Sequence, residues 1–395
     1  MKTIGILGGG QLGCMLAESL HRWGATVRFY DPDFNAPGKH RSPFFTCAAW
    51  TDGTKLSEFF QSCDVVTYEF ENVAVDLLDA ASQASGVSLW PSATLLATTQ
   101  NRVAEKLFFA KHSLPHAGFD IIATEDDLQS HSGSLEPRIL KTARGGYDGK
   151  GQWMLRKSHD WAQCLTQFRH ATGSFPLCVL EQVVPLWREA SCIVARSING
   201  HCEAFTIFEN VHENHILAAT LCPTRIPAAT QALMQKIATD CAHSLNVVGL
   251  LTVEFFLSET PAPHSNGVMT DGLYLYINEL APRPHNSGHI TRTACNESQF
   301  DAMARVLLGL PLLRPQMVNA QVHAMGNLMG ELWPSEHGQL PVEQFGLFEN
   351  INEVVLYGKN SARPGRKMGH FTLQANSSEQ ALEQIASVKK SVTGG

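Results

Sequence analysis

Over the first hundred residues strand-like and helix-like hydrophobic periods alternate, and this alternation constrains the fold more than any other feature of the chain. Residues 3–8 (TIGILG) form a short apolar run rich in isoleucine, followed by the helix-patterned QLGCMLAESLHRWG. TVRFYD, DVVTYEF (64–70) and VSLWP (87–91) read as further strands, separated by helix-patterned TKLSEFFQS and AVDLLDAASQAS. Each helix in such a series packs back onto the sheet, so the strands run parallel and both faces are covered. Gly8, Gly10 and Gly13 mark the first strand-to-helix turn in the spacing G-x-G-x-x-G, and Asp31 ends the second strand. A dinucleotide fits this pattern, with its pyrophosphate on the helix N-terminus and the acid on a ribose. Another phosphate at the helix N-terminus fits it too, as does plain strand-to-helix packing. A dehydrogenase needs no further phosphate loop, so the rest of the chain has to decide.

Beyond residue 100 the pattern changes. NRVAEKLFFAKHSL (101–114) is an amphipathic helix, and PRILKTA, QWMLRK, CVLEQVV and ASCIVARS then read as antiparallel strands. Asn199-Gly200 joins the last of these to HCEAFTIF, a signal for a type I′ hairpin. A helix at 228–245 precedes two apolar strands, LLTVEFFL and LYLYINEL, with the polar stretch 258–272 between them as an exposed loop. A helix and several short β runs follow residue 300. With 395 residues the chain is expected to divide in three: an α/β unit at 1–100, an α+β unit at 101–300 and a small β-rich unit at 301–395. The net charge of −7 carries no basic block, which argues against nucleic acid or an anionic membrane as partner. No apolar run approaches the ~18 residues of a spanning helix, and the opening MKTIGILGGG breaks into glycine too early for a secretory signal. Ten cysteines without a C-x-x-C are expected to be reduced, buried thiols of a cytoplasmic protein.

Four segments can carry chemistry. Arg144-Gly145-Gly146-Tyr147-Asp148-Gly149-Lys150-Gly151 lies between two strands, with Lys141 on the strand leading in. It is no Walker A loop, since a strand and not a helix follows the lysine. A glycine-rich turn between antiparallel strands can fold over a triphosphate as a flap; a surface hairpin is the alternative. Glu254 and Glu279 each sit inside a strongly apolar strand, where a lone carboxylate costs several kcal/mol unless it is paired or binds a metal. With Asn278 they form a hard oxygen set suited to Mg²⁺ carrying a nucleotide, or else they belong to ion pairs, Arg283 being one candidate partner. Directly after Glu279, the run Ala-Pro-Arg-Pro-His-Asn-Ser-Gly-His (281–289) supplies a fixed guanidinium and two imidazoles, an anion pocket beside the metal. In EQVVPLWRE (181–189), strand-end backbone groups can read an adenine edge and Glu189 can take ribose hydroxyls. The densest positive spot is YGKNSARPGRKMGH, where Lys359, Arg363, Arg366 and Lys367 surround Pro364-Gly365 as a phosphate clamp or a solvated loop.

GILGGGQLGCMLA, TYEFEN, LKTARGGYDGKGQ, EQVVPLWRE, NELAPRPHNSGH and YGKNSARPGRKMGH together resemble the 5-(carboxyamino)imidazole ribonucleotide synthases of purine biosynthesis, a branch of the ATP-grasp superfamily. The resemblance covers nearly the whole chain. It implies a Rossmann-like N-terminal domain, a central ATP-grasp domain, a small C-terminal domain and a homodimer. It further implies that Arg102, Lys141, residues 144–151, Glu181, Gln182, Val183, Val184, Glu189, His212 and Asn278 hold ATP, and that Glu254 and Glu279 hold Mg²⁺. Tyr147, Asp148, Lys150, Lys359 and Arg366 would bind 5-aminoimidazole ribonucleotide, with Gly10 and Gln11 facing the same side. Glu69, Arg283, His285 and Asn286 would surround bicarbonate, with His285 placed to take the amine proton. Two departures from the family pattern stand out: Cys14 replaces an arginine, and 258–272 is longer than the usual tight turn. Other ATP-grasp ligases (a formate-using transformylase, a biotin-dependent carboxylase), an NAD-dependent oxidoreductase and a nucleotide-sensing module are the rival readings.

Overall fold

The computed structural model describes residues 1–134, 136–146, 150–171 and 175–393. Its first sheet has five parallel strands in the spatial order Phe45–Cys47, Thr26–Asp31, Thr3–Leu7, Val65–Tyr68 and Ser88–Leu89. Alternation along the first strand feeds two cores. Ile4 and Ile6 cluster with Leu12, Met15 and Leu16 of the helix Gln11–Arg22, whereas Leu7 clusters with Phe59 and Phe60 of the helix Gly53–Gln61. The strand order reverses at Thr3–Leu7, so the crevice beyond its end and that of Val65–Tyr68 is the switch point where ligands of open α/β sheets bind. The edge strand at 45–47 has no counterpart in the sequence reading.

A four-stranded antiparallel sheet follows, in the order Phe119–Ile122, Cys178–Gln182, Arg138–Thr142, Gln152–Leu155. The largest sheet has ten strands. Its main path runs Val268–Thr270, Leu273–Ala281, Gly249–Ser258, Arg188–Arg196, Phe208–Glu213, Ile216–Cys222, Val322–Met329, Lys367–Ala375, Ile351–Leu356, with Cys202–Ala204 paired off it to Arg188–Arg196. The hairpin 208–222, not anticipated from the sequence, supplies the strand on which the C-terminal strands build, Ala219 opposite Gly326 and Cys222 opposite His323. The sheet therefore runs through residue 300 without a break. Beneath it the helix Gln299–Leu308, started by a Ser298/Asp301 capping box, places Phe300 and Met303 in one cluster with Ile4 and Leu16 of the first unit.

Two turns differ from expectation. At Asn199-Gly200 the hairpin forms, but only Gly200 has a positive φ (+89°), and the Gly200 N–H bonds the Ser197 carbonyl. That is a type I turn with glycine in the bulge position, not the primed turn. The primed geometry occurs in 258–272, which is not all loop: Thr270 pairs Leu273 across Asp271 (φ +50°) and Gly272 (φ +77°). Asp271 accepts from both the N–H and the hydroxyl of Thr230, docking the turn on the helix Ala228–Ser244.

Candidate active site

The cleft between the four-stranded sheet and the large sheet is lined by one helix, Arg102–Lys111, whose cap Asn101 accepts the Val103 N–H at 3.0 Å. Arg102 and Lys106 lie one turn apart on it and so share a face. Lys141 and Glu181 are diagonal neighbours on adjacent strands, since Glu181 stands opposite Ile139. Three of these meet, with Arg102 acting from further off: Glu181 Oε2 is 3.0 Å from Lys141 Nζ and 3.5 Å from Lys106 Nζ, and Lys106 also donates to the Asn278 carbonyl at 3.0 Å. Burial would raise the Glu181 carboxyl, but Lys106 and Lys141 bring it down to about 2. Lys141 is nevertheless lowered, first by burial and then by Lys106 and Arg102, with Glu181 acting against them. The cluster is short of negative charge, and Glu181 Oε1 is buried without a partner among the described residues. Sequence reasoning missed Lys106: a lysine in an amphipathic helix is sorted to solvent by default, yet its side chain is 2% exposed. Neighbouring Glu105, pushed up to about 8 chiefly by burial, accepts the Leu280 N–H at 2.7 Å.

The flap rises from this floor. Its foot is fixed where Thr142 N–H bonds the Gly151 carbonyl at 2.9 Å, with Gly151 at φ +67°. Arg102 donates to the Gly146 carbonyl at 3.1 Å, and Lys150 is exposed. Arg144 departs from the expected arrangement: it is exposed and reaches Gln100 at 3.3 Å, away from Lys141 and Glu181. Tyr147, Asp148 and Gly149 lie outside the described residues. Val183 and Val184 leave the ladder after Gln182 and carry the chain from one sheet to the other, ending at Arg188.

Glu254 and Glu279 stand on adjacent antiparallel strands. A β-bulge between Val253 and Phe255 sets both Asn278 and Glu279 against the single Glu254, a distortion common beside active sites. The donor set of two carboxylates and an amide suits a hard cation. Each carboxylate faces a nitrogen of the protein: Glu254 lies 2.7 Å from His285 Nε2, and Glu279 lies 3.0 Å from the Arg102 guanidinium. Burial opposes the Glu254 charge, but His285, His212 and Lys367 hold the carboxyl down to about 2. Arg283, one suggested partner for these acids, instead pairs with Glu71 at 2.7 Å. Glu189 and His212 face each other at 3.2 Å. Asn286, expected beside bicarbonate, is turned inward: its amide is buried against Asn327.

At the switch point the glycine turn is filled by protein. The Gly10 and Gly13 N–H groups, at the start of the helix Gln11–Arg22, donate to the two oxygens of Glu69 at 2.5 and 2.7 Å. A Cβ on Gly10 would run into that carboxylate. Asp31 accepts the Gly9 and Asp33 N–H groups, both at 2.7 Å. Pyrophosphate and ribose therefore find their dinucleotide contacts already taken by internal carboxylates. Burial raises the Glu69 carboxyl, while Gly13, Gly10 and the nearby Lys359 pull it down. Lys359 donates to the Lys367 carbonyl at 2.7 Å and Arg366 to the Ser361 carbonyl at 2.7 Å, with Asp33 close enough to act on Arg366. Lys367, by contrast, acts on Glu254 and His212. It opens the strand Lys367–Ala375, where successive side chains point to opposite sides.

A buried cation cluster shared by the helix Arg102–Lys111 and the four-stranded sheet, with paired carboxylates at a bulge of the large sheet, fits an ATP-grasp ligase. The ATP-grasp domain family matches residues 107–300, the ribonucleotide synthetase pre-ATP-grasp domain 1–100, and the phosphoribosylaminoimidazole carboxylase C-terminal domain 323–384. The chain belongs to the N5-carboxyaminoimidazole ribonucleotide synthase family: it is 35% identical to that enzyme of Bacillus subtilis over 100% of this chain and 97% of the relative. A solved N5-carboxyaminoimidazole ribonucleotide synthetase in complex with ADP superposes with a TM-score of 0.86 at 36% identity, covering 98% of this chain and 96% of that one. The Aspergillus clavatus synthase, solved with ADP and 5-aminoimidazole ribonucleotide, superposes with a TM-score of 0.82 at 26% identity, covering 99% and 98%.

Proposed function

We propose that this protein carboxylates the exocyclic amine of 5-aminoimidazole ribonucleotide, using ATP and bicarbonate and releasing ADP and phosphate. The observation that carries the reading is a set of four acid–base pairs distributed between the nucleotide cleft and the switch point. Arg102 meets Glu279 in the nucleotide cleft, Glu254 meets His285, Arg283 meets Glu71, and Glu69 lies under Lys359 at the switch point. One end suits a triphosphate, the middle a small carboxylate-like anion, and the far end a phosphate monoester.

In the cleft, Lys141, Lys106 and Arg102 would take the phosphates, and the unpartnered Glu181 oxygen would accept from the adenine amino group. Glu189 and His212 would take the ribose. Glu254, Glu279 and Asn278 would hold Mg²⁺, which when bound would offset the charge of the triphosphate. A bicarbonate oxygen, oriented by Arg283, attacks the γ-phosphorus; ADP leaves with the bond pair and carboxyphosphate remains. Its C–O bond breaks to CO₂ and phosphate, the amine nitrogen bonds the CO₂ carbon, and His285 accepts the amine proton. Carboxyphosphate is destroyed by water, so closure of the flap 144–151 protects it. Lys150, with Tyr147 and Asp148, would face the ribotide, whose phosphate would lie between Lys359, Arg366 and the turn at Gly10 and Gln11. A homodimer in the cytoplasm is part of the proposal; no helix among the described residues is long and apolar enough to cross a membrane, and all ten cysteines are free thiols.

The test is substrate-dependent ADP release. With ATP, Mg²⁺ and bicarbonate the protein should release little ADP until 5-aminoimidazole ribonucleotide is added, and ¹³C-bicarbonate should label the exocyclic nitrogen of the product. ADP release driven by glycinamide ribonucleotide or biotin, and not by the imidazole, would leave the ATP-grasp class intact and remove the substrate.

A further inference from the structure

Two residues flanking the C-terminal clamp turn away from the cleft. Tyr357 and His370 are buried, and the Tyr357 hydroxyl lies 2.9 Å from His370 Nδ1. Asn286 lies close enough to that hydroxyl to act on it, and Asn327 stands opposite His370 on the adjacent strand. Asn286 in turn faces Asn327 amide to amide, at 3.2 and 2.5 Å, and Asn327 also donates to the Leu217 carbonyl at 2.8 Å. On the other side of the loop, Gln299 grips the main chain of His285, accepting its N–H at 2.8 Å and donating to its carbonyl at 2.7 Å. Gln299 Nε2 also lies 3.3 Å from His289 Nδ1, and the His289 and His370 rings are 4.8 Å apart.

Such a network is a poor way to gain stability. His289 Nε2 and His370 Nε2 are buried with no partner among the described residues, and a buried hydrogen bond left unmade is destabilising. What it supplies is fixed geometry between two segments. Tyr357 stands two residues before Lys359, and Asn286 directly follows His285. These contacts, through Asn327 and His370, tie the loop carrying Arg283 and His285 to the strand end carrying the clamp, with almost no flexible chain between.

We propose that Tyr357 and His370 are positioning residues that, through Asn286, make the placement of the 283–289 loop depend on occupation of the clamp by the ribotide phosphate; this rests on the proposed function. ATP is then committed only when the acceptor amine is in place. Tyr357→Phe keeps the ring and removes only the hydroxyl. The wild-type enzyme should release one ADP per carboxylated product. The variant should release more, with product kcat down by up to about 10²-fold, as expected for a small misplacement of reacting groups. Its KM for ATP should stay within about twofold, because the nucleotide contacts are untouched. His370→Asn, whose amide can still reach the hydroxyl, should keep the stoichiometry near one, and His370→Leu should not. A second measurement needs no turnover: ribose 5-phosphate should slow amide exchange across residues 285–291 in the wild type and not in Tyr357→Phe. A variant that keeps one ADP per product, or a wild type in which ribose 5-phosphate leaves 285–291 unprotected, overturns the coupling. A merely structural role would lower the melting temperature and raise the KM for ATP while leaving the stoichiometry at one. Failure of the ribotide to drive ADP release in the wild type would count against the function itself, with the exchange experiment still deciding the coupling.

Discussion

Single residues were most legible where their chemistry contradicted their surroundings. A carboxylate inside LTVEFFL or YINELAP demands a partner, and the structure gives Glu254 the His285 imidazole and Glu279 the Arg102 guanidinium. Lys106 gave no such signal, since helical lysines ordinarily face water. Asn286 and Glu69 were visible as polar residues in motifs, but which way an amide or carboxylate turns depends on Asn327 and on the Gly10–Gly13 amides, both remote in sequence. The clamp yields a prediction that the motif alone conceals. Arg366 answers to Asp33 and Lys367 to Glu254 and His212, so adjacent cations serve opposite ends of the site. A charge-assisted bond contributes roughly 1.5–3 kcal/mol, so Arg366→Ala should weaken the ribotide by about ten- to a hundredfold or more and leave ATP affinity nearly unchanged. Lys367→Gln should chiefly depress ADP formation. Equal effects of both on both substrates, measured by steady-state kinetics, would assign the pair to general stability. Glu254→Gln should abolish ADP formation with circular dichroism unchanged. Its folded carboxyl is held at about 2, below its unfolded value near 4.5, so the pair stabilises fully above that value and is lost as pH falls toward 2. The variant should therefore show a shallower acid limb in its stability curve; an identical limb would mean the His285 pair contributes nothing.

Elements were read well where one period held over several residues and poorly where tertiary pairing set the outcome. The central strands Thr3–Leu7 and Val65–Tyr68 of the first sheet were plain because they are buried on both faces, whereas the edge strand Phe45–Cys47 is not and went unread. The hairpin 208–222 was not, for FENVHE mixes charge and apolar residues without clean alternation and is a strand only because Glu189–Ser191 lies beside it. At the Asn199-Gly200 and Asp271-Gly272 turns, residue type was nearly the same; the second took the primed form where Thr230 holds its aspartate. The flap foot offers the test at this scale. Gly151 combines φ +67° with a position where an added Cβ would stand 2.7 Å from the Thr142 hydroxyl. Backbone strain of this kind costs on the order of 1–3 kcal/mol. Gly151→Ala should raise the KM for ATP by about tenfold or more, with little change in melting temperature, since the strand Gln152–Leu155 is the edge of its sheet. An unchanged KM for ATP would mean that the foot geometry is not what shapes the flap.

At the scale of the molecule the three expected units share more than the sequence suggested. The sequence pattern changes near 100 and 300, but nothing in it announces that strands 322–329, 351–356 and 367–375 extend the sheet begun at 188. Nor does any pattern reveal that Leu16, Phe300 and Tyr357 belong to one core. Bridging ion pairs follow the same course: Arg292 bonds Glu18 of the first unit at 3.2 Å and Glu353 of the C-terminal strands at 2.7 Å. A chain of this length ordinarily unfolds in stages when its domains are separately cored. Here a shared core and a shared sheet predict that 1–100 and 301–395 unfold with the large sheet in one calorimetric transition. ATP with Mg²⁺ at 100 times its Kd adds roughly 2.7 kcal/mol to the folded state. With an unfolding entropy of about 2.1 cal/mol/K per residue, 395 residues turn that into a rise of about 3 °C. The whole transition should move by that amount, and NAD should not move it. Two separated transitions, only one of them shifted by ATP, would show that the units are coupled by contact alone and not by a common core.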